Sequence, residues 1–317
     1  MLLSELSERL YSAASAEEFS VFFDNPFVLV EVDGFVPLPP HLPPCPVIAI
    51  TDDPTPPPLA DVVVSSREQA RAIEQAVSNN PIASAVLVHL LRYNEGISIS
   101  QRLVAESLAY STLQHGSEFQ RWIRSHEQRK PSTTSDEPAV TVERIKDELF
   151  LTLNRPEKRN AYSAEMRDAL CDGLSLLSLD SGIRKAILRG TGSCFSAGGD
   201  LSEFGEATDA GLAHVSRIAR SAGSLMASVH DRVEVHLHGA CIGAGIELPA
   251  FAHHVLARPD AFFQLPEVSM GLVPGAGGTA SILPRIGRHR MAAWALTGSR
   301  VDAETAMAWG LVDEIRE

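Results

Sequence analysis

Residues 233–248 read VEVHLHGACIGAGIEL: a strand-like apolar alternation runs into a glycine-rich turn and then into an apolar stretch carrying one carboxylate, Glu247. The small residues of the turn let backbone amides approach a ligand closely, and a helix beginning there aims its free N–H groups at the same point. A second turn of this kind, CFSAGGD (194–200), follows the strand-like KAILRG (185–190). Two such turns on neighbouring strands supply two converging donors, the requirement for an oxyanion hole. Glycines also serve simply to make tight turns. Neither segment is a P-loop, because no Gly-Lys-Ser/Thr follows, and neither fits GxGxxG.

Twenty residues downstream of Glu247, Glu267 stands in a similarly apolar run, FFQLPEVSMGLVPGAGG (262–278). A carboxylate among aliphatic side chains has its charged form disfavoured, which brings both protonation states within reach near neutral pH. The pair reads as acid and base. The competing reading makes Glu247 a helix N-terminal charge and Glu267 a solvated loop residue.

Outward from these turns the pattern alternates strand and helix: ELFLTL (148–153), a helix over 164–179, KAILRG, a helix over 210–230, VEVHLHG (233–239) and VLARP (255–259). Such alternation argues for parallel βαβ units of an open doubly wound sheet, with a ligand beyond the strand carboxyl ends. The segment HEQRKPSTTSDEP (126–138) is polar, charged and aperiodic, and reads as a linker between an N-terminal region (1–125) and a core (139–317). In the N-terminal region the spacing predicts a helix over 2–22, strands at 27–32, 47–50 and 61–64, and helices over 67–77, 82–92 and 98–122. Half of the 20 prolines fall between Pro37 and Pro58, a stretch that forbids helix.

The 317 residues carry 27 basic and 40 acidic side chains, a net charge of −13. Residues 1–138 hold 9 basic and 18 acidic groups and the remainder 18 and 22, so either half repels phosphate backbones and bulk nucleic-acid binding is excluded. The nearly balanced second half leaves room for a local basic site. Four scattered cysteines form neither a disulfide framework nor a zinc module, and a reducing cytoplasm is expected. No signal peptide or membrane span is read. His236 with His238 and His253 with His254 lack accompanying ligand spacing, so no metal is expected. Without a Gly-x-Ser-x-Gly elbow, a serine hydrolase is disfavoured.

Five segments in order, LTLNRPEKRNAYS (151–163), CFSAGGDL (194–201), HGACIGAGIEL (238–248), FFQLPEVSMGLVPGAGGT (262–279) and LTGSRVDAETAMAWGLVDEI (296–315), resemble the crotonase (enoyl-CoA hydratase/isomerase) superfamily over about residues 140–316. The resemblance implies an α/β fold with a spiral core of stacked ββα turns, preceded here by a mixed α/β, mainly helical N-terminal region. It implies an acyl-CoA substrate, no further cofactor, and a homo-oligomer, trimer or hexamer. By the same resemblance the amides of Ala197 and Ala244 stabilise an enolate-like transition state, with alanine at position 244 where the family usually has glycine. Glu247 activates a water for attack on the β-carbon, and Glu267 exchanges a proton with the α-carbon. Lys158, Arg159, Asn160 and Ala161 correspond to the CoA-binding segment, with Gly198, Gly199, Asp200 and Gly243 as further substrate-binding positions. Retention of both glutamates implies an enoyl-CoA hydratase. The alternatives are an enoyl-CoA isomerase, another crotonase-type lyase or thioester hydrolase, and a non-catalytic acyl-CoA-binding assembly subunit.

His253 replaces the aspartate common after the catalytic helix. The sequence ends at GLVDEIRE, where the resemblance implies two further helices and a tail. The stretch ADVVVSSREQARAIEQAVSNNPIASAVLVHLL (60–91), with LVAESLAYSTLQHGSEFQRWI (103–123) after it, resembles that tail. The N-terminal region is therefore expected to be either a helical cover, from a degenerate second unit or a permuted tail, or an unrelated appendage.

Overall fold

The computed structural model describes residues 1–53, 55–126 and 136–317. Residues 127–135, most of the expected linker, lie outside them.

The N-terminal region is two structures in succession. The first comprises helices α1 (Leu3–Arg9) and α2 (Ala13–Glu17) with strands β1 (Val28–Glu31), β2 (Val47–Ile50) and β3 (Val62–Val64), all parallel in the order β1-β2-β3. The expected helix over 2–22 stops at Arg9 and restarts after Ser12. Leu3, Leu6, Leu10, Phe19, Val28, Val30 and Leu59 form its own small core. The second comprises helices α3 (Arg67–Asn79), α4 (Pro81–Asn94), α5 (Ile99–Gln114) and α6 (Ser117–Ser125). Ser66 caps α3, Pro81 opens α4, and Ser98 with Gln101 forms a capping box on α5. The helix expected over 98–122 breaks at His115–Gly116, where the Gly116 amide turns back to Leu113 O.

Beyond residue 139, β4 (Val140–Ile145) and β5 (Glu148–Leu153) form a hairpin, followed by α7 (Ala164–Leu179), β6 (Lys185–Gly190), α8 (Ala210–Ala219) and α9 (Ala222–Ser228). The helix expected over 210–230 is split because Ser221 caps a new helix, its hydroxyl accepting from Ser224 N. Then come β7 (Val233–Leu237), β8 (Ala240–Ile242), α10 (Ala244–Glu247), β9 (His254–Ala257), β10 (Phe262–Gln264), α11 (Gly278–Ser281), α12 (Leu283–Ile286), α13 (Arg288–Thr297), β11 (Val301–Asp302), α14 (Ala303–Trp309) and β12 (Glu314–Ile315). The strands do not form one open sheet. A six-stranded sheet runs β12-β9-β7-β6-β5-β4 and a three-stranded sheet runs β11-β10-β8, so from β7 onward successive turns of chain place one strand in each. This is the spiral, and the doubly wound reading of the βαβ alternation is corrected by it: βαβ spacing fixes parallel neighbours but not how many sheets receive them.

The hydrophobic core ignores the boundary at 125. Ile73, Val77, Leu87, Leu91, Leu103, Leu113 and Phe119 belong to one continuous cluster with Leu151, Phe195, Phe263 and Trp294. The smaller β1-β2-β3 unit is joined to the rest by Ile48 and Val62, which lie in that cluster, and by a buried ionic knot. Asp61, 1 % exposed, accepts from Arg92 Nε (2.8 Å), Arg288 Nη1 (3.0 Å) and Val47 N (2.8 Å), while Arg288 also reaches the carbonyls of Pro58 and Ala60.

Candidate active site

The two expected glutamates come together. Glu247 ends α10, whose first residue follows Gly243 at a positive φ of 50°. Glu267 opens a 3-10 turn (Glu267–Met270) that Gly271 terminates at φ 77°. Gly243 is required between them: a Cβ there would sit 2.6 Å from Glu267 Oε1 and 3.8 Å from Glu247 Oε1, in the gap the two carboxyls share.

Their environments differ. Glu247 is 2 % exposed, and its Oε2 accepts from the amides of Ala276 (2.8 Å) and Gly278 (2.9 Å). Burial raises its pKa to about 7, with those amides opposing the rise. Glu267 has less help, only its own amide opposing the rise. Its Oε2 is enclosed without a hydrogen-bond partner among the described residues, and burial followed by the charge of Glu247 pushes its pKa well up. Of the pair, Glu247 is the easier to ionise and Glu267 holds its proton longer.

Both line a cavity of about 300 Å³ with Gly199, Ala244, Tyr162, Phe204, Tyr110 and Arg217. The donor set differs from the expected one. The Ala197 amide is spent on Arg159 O at 2.9 Å, whereas the amides of Gly199 and Ala244 donate to no protein acceptor among the described residues. The pair of unspent donors on the cavity is therefore Gly199 and Ala244, which corrects the assignment of Ala197. Gly199 fits tightly, since a Cβ would lie 2.9 Å from the Phe204 ring. Gly198 turns the chain at φ 95° with its carbonyl accepting from Tyr162 N.

The segment 158–161 divides into exposed and buried positions. Arg159 is exposed in a left-handed conformation, and Lys158 pairs with Asp200 at 3.2 Å. Asn160 is fully buried: its Nδ2 donates to the carbonyls of Thr191, Cys194 and Phe195, and its Oδ1 accepts from Arg155 N. That side chain ties the segment to the 194–200 turn and has no capacity left for a ligand. Ala161 is half-buried. Asp200 accepts from the Ser202 amide and hydroxyl and from Lys158. Among the described residues no cluster of three metal-ligating side chains occurs; His236 bonds Glu234 and His254 bonds Glu314. His253 is exposed.

Sequence reasoning offered a helical cover from the N-terminal region but named none of its residues in the site. Tyr110 and Gln114 of α5 line the cavity, and the Tyr110 ring leaves Gly275 no space for a side chain. Glu106, also on α5 and 2 % exposed, binds the 277–279 backbone. Helix α6 presses its Glu118–Phe119 backbone to within 2.6 Å of where a Gly271 Cβ would be, and its Trp122 and Phe119 pack on Phe204. The signal that finds Glu106 is the one already used for Glu247 and Glu267, a lone carboxylate in an apolar run (LVAESLAY, 103–110).

Residues 148–316 match the family described as enoyl-CoA hydratase/isomerase. The chain is 31 % identical over 176 residues to the 2,3-dehydroadipyl-CoA hydratase of Escherichia coli (strain K12), covering 56 % of this chain and 68 % of that protein. It is 35 % identical over 173 residues to the 1,2-epoxyphenylacetyl-CoA isomerase of the same organism, covering 53 % and 65 %. A crystal structure of enoyl-CoA hydratase from Thermoplasma volcanium superposes with a TM-score of 0.53 at 33 % identity, over 57 % of this chain and 72 % of that one. The chain thus spans about two thirds of the length of the curated relatives it matches.

Proposed function

The chain belongs to the enoyl-CoA hydratase/isomerase family, an enzyme family of the crotonase superfamily, and on that premise we propose that it adds water across the 2,3 double bond of a 2-enoyl-CoA. The observation that carries the reading is the convergence of two carboxyl groups of unequal acidity on the gap beside Gly243, within a cavity that also receives the unspent amides of Gly199 and Ala244.

In this reading the thioester oxygen accepts from Gly199 and Ala244 and carries the charge that develops as the enolate forms. A water lies between the carboxyls. Ionised Glu247 takes one proton from it while its oxygen bonds to the β-carbon, and protonated Glu267 delivers a proton to the α-carbon. Atoms balance as one water added, and the proton left on Glu247 returns to Glu267 through solvent. Helices α3–α6 act as the cover of this site.

A second reading, double-bond isomerisation, draws support from one feature. Glu247 is tethered by two amides while Glu267 keeps an unpartnered oxygen, an arrangement suited to a single carboxyl that moves a proton between two carbons. Following loss of the conjugated thioester chromophore of short 2-enoyl-CoA substrates tests the first reading. Glu247→Gln and Glu267→Gln should each lower kcat by about 10²- to 10⁴-fold with the fold intact. No turnover by the unaltered protein across a range of chain lengths would exclude hydration. Isomerisation of a 3-enoyl-CoA that survives Glu247→Gln would favour the second reading.

A further inference from the structure

Four successive backbone amides, 276 to 279, are shared in alternation by two buried carboxyl groups that stand 141 positions apart in the sequence, Glu106 and Glu247. Glu247 Oε2 accepts from Ala276 and Gly278. Glu106 of α5 accepts from Gly277 (2.6 Å, Oε1) and Thr279 (2.7 Å, Oε2), and Oε2 also accepts from the Thr279 hydroxyl at 2.7 Å. Asn94 of α4 secures the same residue from behind, donating to Thr279 O and Oγ1. Alternate N–H groups point to opposite sides of the turn, so the planes that serve Glu247 cannot rotate while Glu106 holds the planes between them.

Resting on the reading of Glu247 as the general base, we infer that Glu106 is a positioning residue for it: by fixing Gly277 and Thr279, it holds the Ala276 and Gly278 amides on the Glu247 carboxylate. It touches no substrate. It gives the N-terminal helices a part in the chemistry beyond covering the cavity.

The groups facing Glu106 are Glu247 of α10, Glu267 of the turn after β10, Arg217 of α8, Tyr110 of its own helix, and the polar Thr279 and Asn94. Burial, then the charge of Glu247, raises Glu106 to about 8. Glu106 titrates above Glu247 and is mostly neutral where Glu247 ionises, so its removal takes little charge from beside Glu247. Loss of the Ala276 and Gly278 amides makes Glu247 harder to ionise, because burial is then unopposed. Positioning predicts this rise.

Glu106→Ala is measured against the unaltered protein in the pH dependence of kcat and KM for a 2-enoyl-CoA. Expected are an acid limb moved to higher pH by about one unit, a kcat at pH 7 lower by about five- to tenfold, and a KM within about twofold. An acid limb unmoved, or moved to lower pH, overturns the inference. Glu106→Gln keeps the volume and one acceptor oxygen; if the alanine variant does not fold, this variant decides, with the same direction and a smaller shift. The titration of the Glu247 carboxyl carbon, followed by NMR in glutamate-labelled protein, reads the same shift without turnover. An unaltered protein that hydrates nothing, yet whose Glu247 titrates at higher pH in Glu106→Gln, refutes the proposed function and leaves the positioning role standing. Glu247 titrating unchanged, or at lower pH, refutes the positioning role whatever the activity.

Discussion

Residues 1–64 and residues 67–125 are adjacent in the sequence and differ in what they pack against. The first encloses Leu3, Leu6, Leu10 and Val30 in a core of its own, and meets the rest through the Asp61–Arg92–Arg288 knot and through Ile48 and Val62, which lie in the larger cluster. The second has no separate core. Its large apolar side chains are buried in the same cluster as the spiral, and its α5 and α6 back the turns that carry Glu267 and the 275–279 amides. Chain proximity therefore does not decide membership of a structural unit; shared burial does.

Deletion puts this difference under the greatest load. Each fully buried large apolar side chain contributes about 1.5–3 kcal/mol, so the seven named from α3–α6 contribute on the order of 10 kcal/mol or more. That is comparable to the whole stability of a domain. Removing residues 1–138 should leave no soluble folded remainder, as judged by yield and circular dichroism. Removing only residues 1–58 should leave a folded protein of lower Tm that still turns over the substrate. A soluble, fully active 139–317 fragment would sink the distinction, and so would a 1–58 deletion as damaging as the larger one.

Next in size is the joint itself. Asp61→Ala leaves two arginines buried with their shared carboxylate gone, at a cost of about 3–5 kcal/mol. Thermal or urea unfolding should register that loss, while kcat of the folded protein stays within about twofold, because the knot touches none of the cavity residues. A large fall in kcat at temperatures well below Tm would mean that the first unit is coupled to the site after all.

The smallest effect is the pH dependence of stability. Glu106 and Glu247 are raised to about 8 and about 7, and Glu267 is raised as well. A carboxyl whose folded pKa exceeds its unfolded value binds more protons when folded. Its contribution is complete below the unfolded value near 4.5 and is lost as pH rises through the folded value. Tm should therefore fall between about pH 5 and pH 8.5, and Glu106→Gln should flatten that fall. A Tm that rises over this window would show the three carboxyls to be stabilised as anions.

Much of the core was legible because its signals are local. Helix α7 occupies 164–179 as the periodicity predicts, KAILRG and ELFLTL are strands over the predicted residues, and Glu247 and Glu267 do face a common gap. What escaped was nonlocal. The split of the strands between two sheets, the burial of Asn160 and the partnership of Glu106 with Gly277 all join residues that are far apart or that differ only in which neighbour they meet.

The chemistry on offer is written in the residues themselves: two glycine-rich turns after strands, two carboxylates in apolar surroundings, and a motif order specific enough to place the chain in its family. Which amides are free to act, and which helices hold them, follows from how distant segments pack. Ala197 and Gly199 lie two residues apart in one turn, yet Arg159 consumes the amide of the first and leaves the second open to the cavity. A hydrogen bond is assigned by whichever acceptor the fold brings within about 3 Å, and that acceptor is rarely a neighbour in the chain.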